Sequence, residues 1–266
     1  MTSPDPRGEL GIVLKTAPLR ESDLIVTLYT ESHGRLSAVA RGARRSQRRF
    51  AGALQLLVLG RHRLARGRGE LWTLDGTDIE REWTRLATDV VAVAHASYAA
   101  ELVATLVPPE VPDPEVLSLV VALWDSLAEA GPSPGALRAV ELALLDLGGH
   151  RPALDACAAC GRADLEAGVV FDPSRGGAIC RSCAAGSRGP GIRPLDPAAL
   201  AYLRAVAALA TPAAARSVDT DPRFTPSDRT AARDALLAMI GLLVGKPLRS
   251  LEFIAKLGAA GRRDEP

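Results

Sequence analysis

Over the first eighty residues apolar side chains recur in short bursts with a period near two. Gly11 to Ala17, Leu24 to Thr30, Leu36 to Arg41, Leu54 to Leu64 and Glu70 to Ile79 are rich in Val, Leu, Ile and Thr, with Ser-Asp, His-Gly, Gly-Ala and Gly-Arg-Gly breaks between them. Ile12 and Leu14 share one face of the first run, and Leu24, Val26 and Leu28 share one face of the second. Five such strands within residues 9–82 predict a small closed barrel. The OB-fold is the commonest five-stranded solution, and an SH3-like barrel is the alternative.

After Trp83 the period becomes helical. Asp113-Pro114, Ser133-Pro134, Asp196-Pro197 and Thr225-Pro226 each place a capping side chain before a proline. The first residue can accept an orphan N–H, and proline at the first helical position gives up no hydrogen bond. Helix ends are predicted at Gly131, Gly148-Gly149, Thr211-Pro212 and Gly245. With Arg85 to Val107 this makes about five helices. Residues 151–193 interrupt them with a glycine-rich segment holding all four cysteines. The expected architecture is multidomain α+β. An OB-fold barrel (9–82) precedes a helical domain assembled from 84–150 and 194–258, with a four-cysteine insert at 151–193. A flexible N-terminus (1–8) and a disordered tail (259–266) complete it.

The chain has 266 residues, 47% of them apolar, enough to bury a sizeable core. Val90 to Val107 is broken by His95 and Glu101 and closed by two prolines, so it predicts a buried helix and no membrane span. Met1 to Gly8 lacks the features of a signal peptide, which favours a cytoplasmic location. Net charge is only +1, but it is unevenly spread. From Arg35 to Gly69 there are ten arginines and no acidic residue, leaving 22 basic against 31 acidic residues elsewhere.

Cys157-Ala-Ala-Cys160 and Cys180-Arg-Ser-Cys183 are two knuckles with nineteen residues between them. That spacing fits a four-thiolate zinc site, in which each two-residue gap turns both sulfurs toward one point. Disulfides suit a cytoplasmic chain poorly, a redox pair would need a thioredoxin-like context, and an iron site of similar spacing is the remaining competitor. Four protein ligands leave no open position, so Zn2+ here is expected to be structural. Between the knuckles, Gly168 to Ile179 predicts a hairpin turning near Asp172 to Gly177.

Arg41-Gly-Ala-Arg44-Arg45-Ser-Gln-Arg48-Arg49-Phe50 follows directly on a predicted strand and reads as a loop. Clustered charge of one sign can track a phosphate backbone without reading sequence. The candidate DNA contacts are Lys15, Arg35, Arg41, Arg44, Arg45, Arg48, Arg49, Arg66 and Arg68, on a barrel type that commonly hosts single strands. Tyr29, Phe50 and Trp72 are the aromatic residues available to stack on bases or to fill the core. No catalytic constellation survives inspection. In Gly131-Pro-Ser133-Pro134-Gly135 the proline cannot supply the oxyanion N–H that a nucleophile elbow needs. Gly241 to Lys246 is a residue short of a phosphate loop, and His33, His62, His95 and His150 are scattered.

Gly11-Ile-Val-Leu-Lys-Thr, Glu21-Ser-Asp-Leu-Ile-Val-Thr-Leu and His33-Gly-Arg-Leu-Ser-Ala-Val-Ala-Arg-Gly-Ala-Arg44 closely resemble the RecO family of bacterial DNA repair proteins. So do Arg49-Phe-Ala-Gly-Ala-Leu-Gln and Phe171-Asp-Pro-Ser-Arg-Gly-Gly, and the resemblance runs in order from residue 9 to about 257. It implies a non-enzymatic recombination mediator that binds single- and double-stranded DNA and anneals complementary strands. It further implies that RecR and the C-terminal tail of single-stranded DNA-binding protein are partners in loading the RecA recombinase. Arg138, Arg204 and Arg249 are offered as basic groups for that tail. The runner-up is an OB-fold RNA-binding or ribosome-associated zinc protein; a zinc hydrolase is disfavoured by the closed ligand set.

Overall fold

Each of the five alternating runs has one face that a barrel can bury, and all five become strands. The computed structural model describes residues 8–50, 52–67, 69–165, 169–185, 189 and 191–261. The strands are β1 (Glu9–Pro18), β2 (Leu24–Thr30), β3 (Gly34–Ala40), β4 (Val58–Ala65) and β5 (Trp72–Glu82). A short helix, α1 (Gln47–Phe50), stands between β3 and β4. The strands close in the order β1-β2-β3-β5-β4, antiparallel except where β3 meets β5 at Ala38↔Trp72 and Val39↔Thr73. That order makes the barrel OB-like and sets aside the SH3-like alternative. Val13, Val26, Leu28, Leu36, Ala38, Ala40 and Leu74 fill its interior, as the β2 alternation predicted.

Two details depart from the sequence reading. The Ile12 and Leu14 face is not the barrel interior: Val13 points inward, and a register shift between Val13 and Lys15 interrupts the alternation. Ile12 is buried from outside, because it is in register with Tyr29 on the face that the following helices cover. The arginine segment is also not loop throughout. It ends in α1, whose Phe50 enters the barrel core and pins the turn at 2% exposure.

His62 on β4 is fully buried opposite Thr77 on β5. Its Nε2 lies 3.2 Å from the Gly11 carbonyl, which can only accept, so Nδ1 is left to accept from the Thr77 hydroxyl at 3.1 Å. Burial lowers its pKa from 6.5 to about 4, against the Gly11 hydrogen bond. A histidine that unfolded chains protonate more readily stabilises the fold fully above pH 6.5 and progressively less down to pH 4. Its share of that loss is about 3 kcal/mol at most. Urea unfolding of His62→Gln at pH 7 and pH 4.5 is expected to show a shallower pH dependence than the parent; identical slopes would refute this.

The chain divides into two compact units, Met1–Gly131 with Arg249–Pro266, and Pro132–Leu248. The expected single helical domain from 84–150 and 194–258 is therefore cut at other places, for reasons visible in the helices. α2 (Val90–Leu106) is apolar nearly all round, so it packs against β1, β2, α3 (Pro114–Ala130) and α9 (Arg249–Gly261) at once. α3 is tied to the barrel by Tyr29, whose hydroxyl donates to the Asp113 carbonyl at 2.8 Å, and by Trp83, whose Nε1 donates to Asp125 at 2.8 Å. α9 is not marked by a local cap. Glu101 of α2 accepts from the backbone N–H groups of Arg249 and Ser250 at 3.1 and 2.9 Å. Desolvation opposes its ionisation, but the bonds from Ser250 and Arg249 prevail and lower its pKa.

In the second unit α4 (Pro134–Leu147), α6 (Pro197–Ala207), α7 (Pro212–Ala215) and α8 (Pro226–Val244) surround one core. All four proline-marked starts open helices, though the Asp196 side chain makes no capping bond. Thr211-Pro212, read as a helix end, opens α7, with Thr211 accepting from the Ala214 N–H at 3.1 Å. Arg138 is buried against Glu141 at 2.5 Å, which removes it from the surface groups available to a partner tail. Residues 1–7 and 262–266 lie outside the described residues; α9 carries the helix to Gly261. Among the described residues no helix is long and apolar enough to cross a membrane.

Candidate metal centre and nucleic-acid interface

The cysteine segment is organised by the predicted hairpin. β6 (Val170–Asp172) and β7 (Gly177–Ile179) pair antiparallel around a short turn, and β8 (Arg193–Pro194) adds to β6; Gly168 lies outside the described residues. The first knuckle closes when the Gly161 N–H donates to the Cys157 carbonyl at 2.8 Å. Gly161 has φ +73°, the left-handed conformation expected of a glycine there. Ala158 N–H donates to the Ala178 carbonyl, which fixes this knuckle to β7. The second knuckle opens the short helix α5 (Arg181–Ala184), with the Ala184 N–H donating to the Cys180 carbonyl.

These contacts bring the sulfurs of Cys157, Cys160, Cys180 and Cys183 within 4.8 Å of one another. Metal–thiolate bonds of about 2.3 Å in a tetrahedron place sulfurs about 3.8 Å apart, and Cys160 and Cys180 are separated by 3.9 Å. No disulfide joins any of the four. Burial works against ionisation of Cys157, but N–H groups of Cys180, Cys160 and Ala159 outweigh it and hold that thiol at about 6. Cys183, facing Cys180 and Cys160, is pushed up to about 12. Four thiols this close cannot all ionise without a cation, and a divalent ion would reverse that balance.

The candidate DNA residues separate into groups. Arg41, Arg44, Arg48 and Arg49 are exposed and have no acidic partner among the described residues. Their turn is shaped by Arg44 donating to the Glu21 carbonyl at 3.0 Å and Arg49 donating to the Arg41 carbonyl at 2.6 Å. Arg45 pairs with Glu21 and Arg66 with Glu110, both exposed pairs. Arg35 serves the fold, donating through Nε to the Val107 carbonyl at 2.7 Å. Arg68 lies outside the described residues. Arg61 and Arg63, also in the acid-free stretch, pair with Glu80 and Asp78.

Lys15 is exposed on β1 and in register with Thr27 and then Ser37 across β2 and β3. Ala17, Ile25 and Val39 form the next row, all partly exposed. This outer face, one row polar and the next apolar, adjoins the turn that carries Arg41 to Arg49, and it is the face that OB-folds use for oligonucleotides. Sequence reasoning missed Thr27 and Ser37, although their alternation with the inward Val26, Leu28, Leu36 and Ala38 marks them as outward. The aromatic candidates are excluded as stacking platforms in this conformation, because Tyr29, Phe50 and Trp72 are all buried.

Residues 9–82 match the family described as Recombination protein O N terminal, and residues 87–252 match Recombination protein O C terminal. The chain is 40% identical over 249 residues to the DNA repair protein RecO of Anaeromyxobacter sp. (strain K), covering 93% of this chain and 95% of that one. It is 36% identical to the DNA repair protein RecO of Myxococcus xanthus, with 93% and 96% covered. For the DNA repair protein RecO of Symbiobacterium thermophilum the identity is 39%, with 94% and 97% covered. Both family regions thus match in order around an OB-like barrel and the helices that follow it, and the chain belongs to the RecO family of DNA repair proteins.

Proposed function

We propose that this chain is a recombination mediator that binds single- and double-stranded DNA on the outer face of β1, β2 and β3 and on the arginine turn beside it. The observation that carries this reading is the exposed group of Arg41, Arg44, Arg48 and Arg49, without acidic partners among the described residues, beside an open sheet face that carries Lys15, Thr27 and Ser37. Lys15, Arg45, Arg66 and Arg68 extend the surface, whereas Arg35 acts through the fold. Charge neutralisation lets two polyanionic strands approach, so annealing requires no bond to be made or broken. Cys157, Cys160, Cys180 and Cys183 hold a structural Zn2+ that orders the insert.

RecR and the C-terminal tail of single-stranded DNA-binding protein are the partners through which RecA is loaded, on a cytoplasmic, nucleoid-associated chain. For that acidic, apolar tail, the second unit offers a groove of about 380 Å³ where Arg151 and Arg204, paired at present with Asp146 and Asp155, stand beside Leu142, Leu154 and Val206. Annealing of complementary fluorescent DNA oligomers with an RNA competitor tests the main reading. The protein should accelerate annealing and keep doing so with RNA in equal amount. Loss of the acceleration to RNA would favour the RNA-binding alternative.

A further inference from the structure

Where the chain leaves α2, residues 107–113 run as a strap across one end of β3. The Arg35 side chain donates to the Val107 carbonyl, and the Glu110 N–H donates to the Arg35 carbonyl at 2.8 Å. At the other side of the strap, Gly34 is needed because a Cβ would lie 2.3 Å from the Val111 carbonyl oxygen. Glu110 itself has φ +57°, a left-handed conformation that is strained for a glutamate. The strained backbone delivers its carboxylate to one place. Glu110 Oε1 accepts from the Arg66 guanidinium at 2.7 Å and from the Trp72 indole N–H at 3.0 Å.

Two donors converging on one anionic oxygen make an anion subsite. The Arg66 guanidinium is held over the Trp72 ring, 4.9 Å from its centroid, and His33 packs edge-on against the same ring at 4.7 Å. The carboxylate occupies the rim of a groove of about 430 Å³ whose lining includes Arg35, Ser37, Arg66, Leu71 and a second acid, Glu70. That groove lies between β3 and the β4–β5 connection, two parts of the barrel that bind oligonucleotides in OB-folds. Bonds from Trp72 and Arg66 lower the pKa of Glu110, so it is an anion at neutral pH.

We propose that Arg66 and the Trp72 indole N–H form a subsite for one phosphodiester of the bound strand, and that Glu110 is its built-in competitor. The inference rests on the DNA-surface reading above and adds a residue that sets how tightly the surface binds. Both members of the ion pair are well exposed, at 56% and 40%, so the competitor is weakly held and a polyanion can displace it. The strap keeps the carboxylate within reach and restores the closed pair when the strand leaves. Release of the strand is thereby favoured, as a protein that must hand DNA on requires.

A double-mutant cycle on the full-length protein tests this, with oligo(dT) binding read by fluorescence anisotropy across a salt series. Glu110→Gln keeps an acceptor for Trp72 but frees Arg66. It should tighten binding roughly fourfold near 0.15 M salt and steepen the salt dependence by about 0.7, the value of one phosphate contact on a single strand. Glu82→Gln, an exposed carboxylate removed elsewhere on β5, should give clearly less. Arg66→Ala should cost more in the Glu110→Gln background than in the parent, and should erase the gain. Additive effects, or a gain matched by Glu82→Gln, overturn the proposal while leaving the DNA surface intact. A parent that fails to bind oligo(dT), or that binds independently of the Arg44 to Arg49 turn, overturns both.

Discussion

Replacing Arg44, Arg45, Arg48 and Arg49 together by alanine is expected to lower single-strand affinity on the order of a hundredfold near 0.15 M salt. Each phosphate contact releases condensed counterions and adds about 0.7 to the salt slope on single strands, so four contacts account for a change of up to roughly 2.8. The structure ranks the four. Arg48 has no partner of its own among the described residues, whereas Arg45 must first leave Glu21. Exposed pairs of that kind are worth about 1 kcal/mol or less, so Arg45→Ala should have the smallest single effect and Arg48→Ala close to a full contact. The substitutions remove hydrogen bonds to the Glu21 and Arg41 carbonyls. Phe50 remains to anchor the turn, and circular dichroism and the unfolding midpoint should stay near those of the parent. Zinc content should not change. A quadruple variant that binds and anneals as well as the parent, with the same salt slope, would move the DNA surface elsewhere.

Metal analysis is expected to find about one zinc per chain, and stripping it with a thiol-reactive mercurial and chelator should unfold the insert. Structural zinc sites of this class supply on the order of 10 kcal/mol of binding free energy, much of it realised as folding. The strands β6, β7 and β8 are only two or three residues long, so the ion adds to what the burial of Phe171, Ala178 and Ile179 supplies. Cys157→Ser should lose the ion and expose the 154–185 segment to proteolysis. Cys157 is 2% exposed and its sulfur accepts the Cys180 N–H at 3.3 Å, so it links the two knuckles directly. Cys160→Ser, at the exposed corner, should weaken the site less. Stoichiometric iron, or metal-free protein with an equally protected insert, would refute the assignment.

The elements were largely legible in the sequence, since the interactions that make them act over a few residues. Strand alternation marked all five barrel strands, with β4 overextended because Leu54 is apolar for a different purpose, packing against the barrel core. Cap-proline pairs marked four helix starts, and the same motif at Thr211-Pro212 was misread because it stands close behind the end of α6. α9 carried no such mark, its cap being Glu101, nearly 150 residues away. The knuckle spacing and the glycine at 161 forecast the sulfur cluster, because two-residue gaps dictate turn geometry locally.

What the sequence determined by itself is therefore the menu of elements, the approach of four sulfurs and the density of arginine between β3 and β5. Tertiary structure decided which of those arginines have an acidic partner beside them. Along the chain no acid lies between Arg35 and Gly69, yet Glu21, Asp78, Glu80 and Glu110 return to Arg45, Arg63, Arg61 and Arg66. Tertiary structure also decided that Tyr29, Phe50 and Trp72 are buried, and that α2 and α3 belong with the barrel instead of with the later helices. The physical reason is range. Backbone hydrogen bonds and caps are satisfied within a turn or two of where they are encoded, but burial and ion pairing depend on whatever the folded chain brings back to the same point in space.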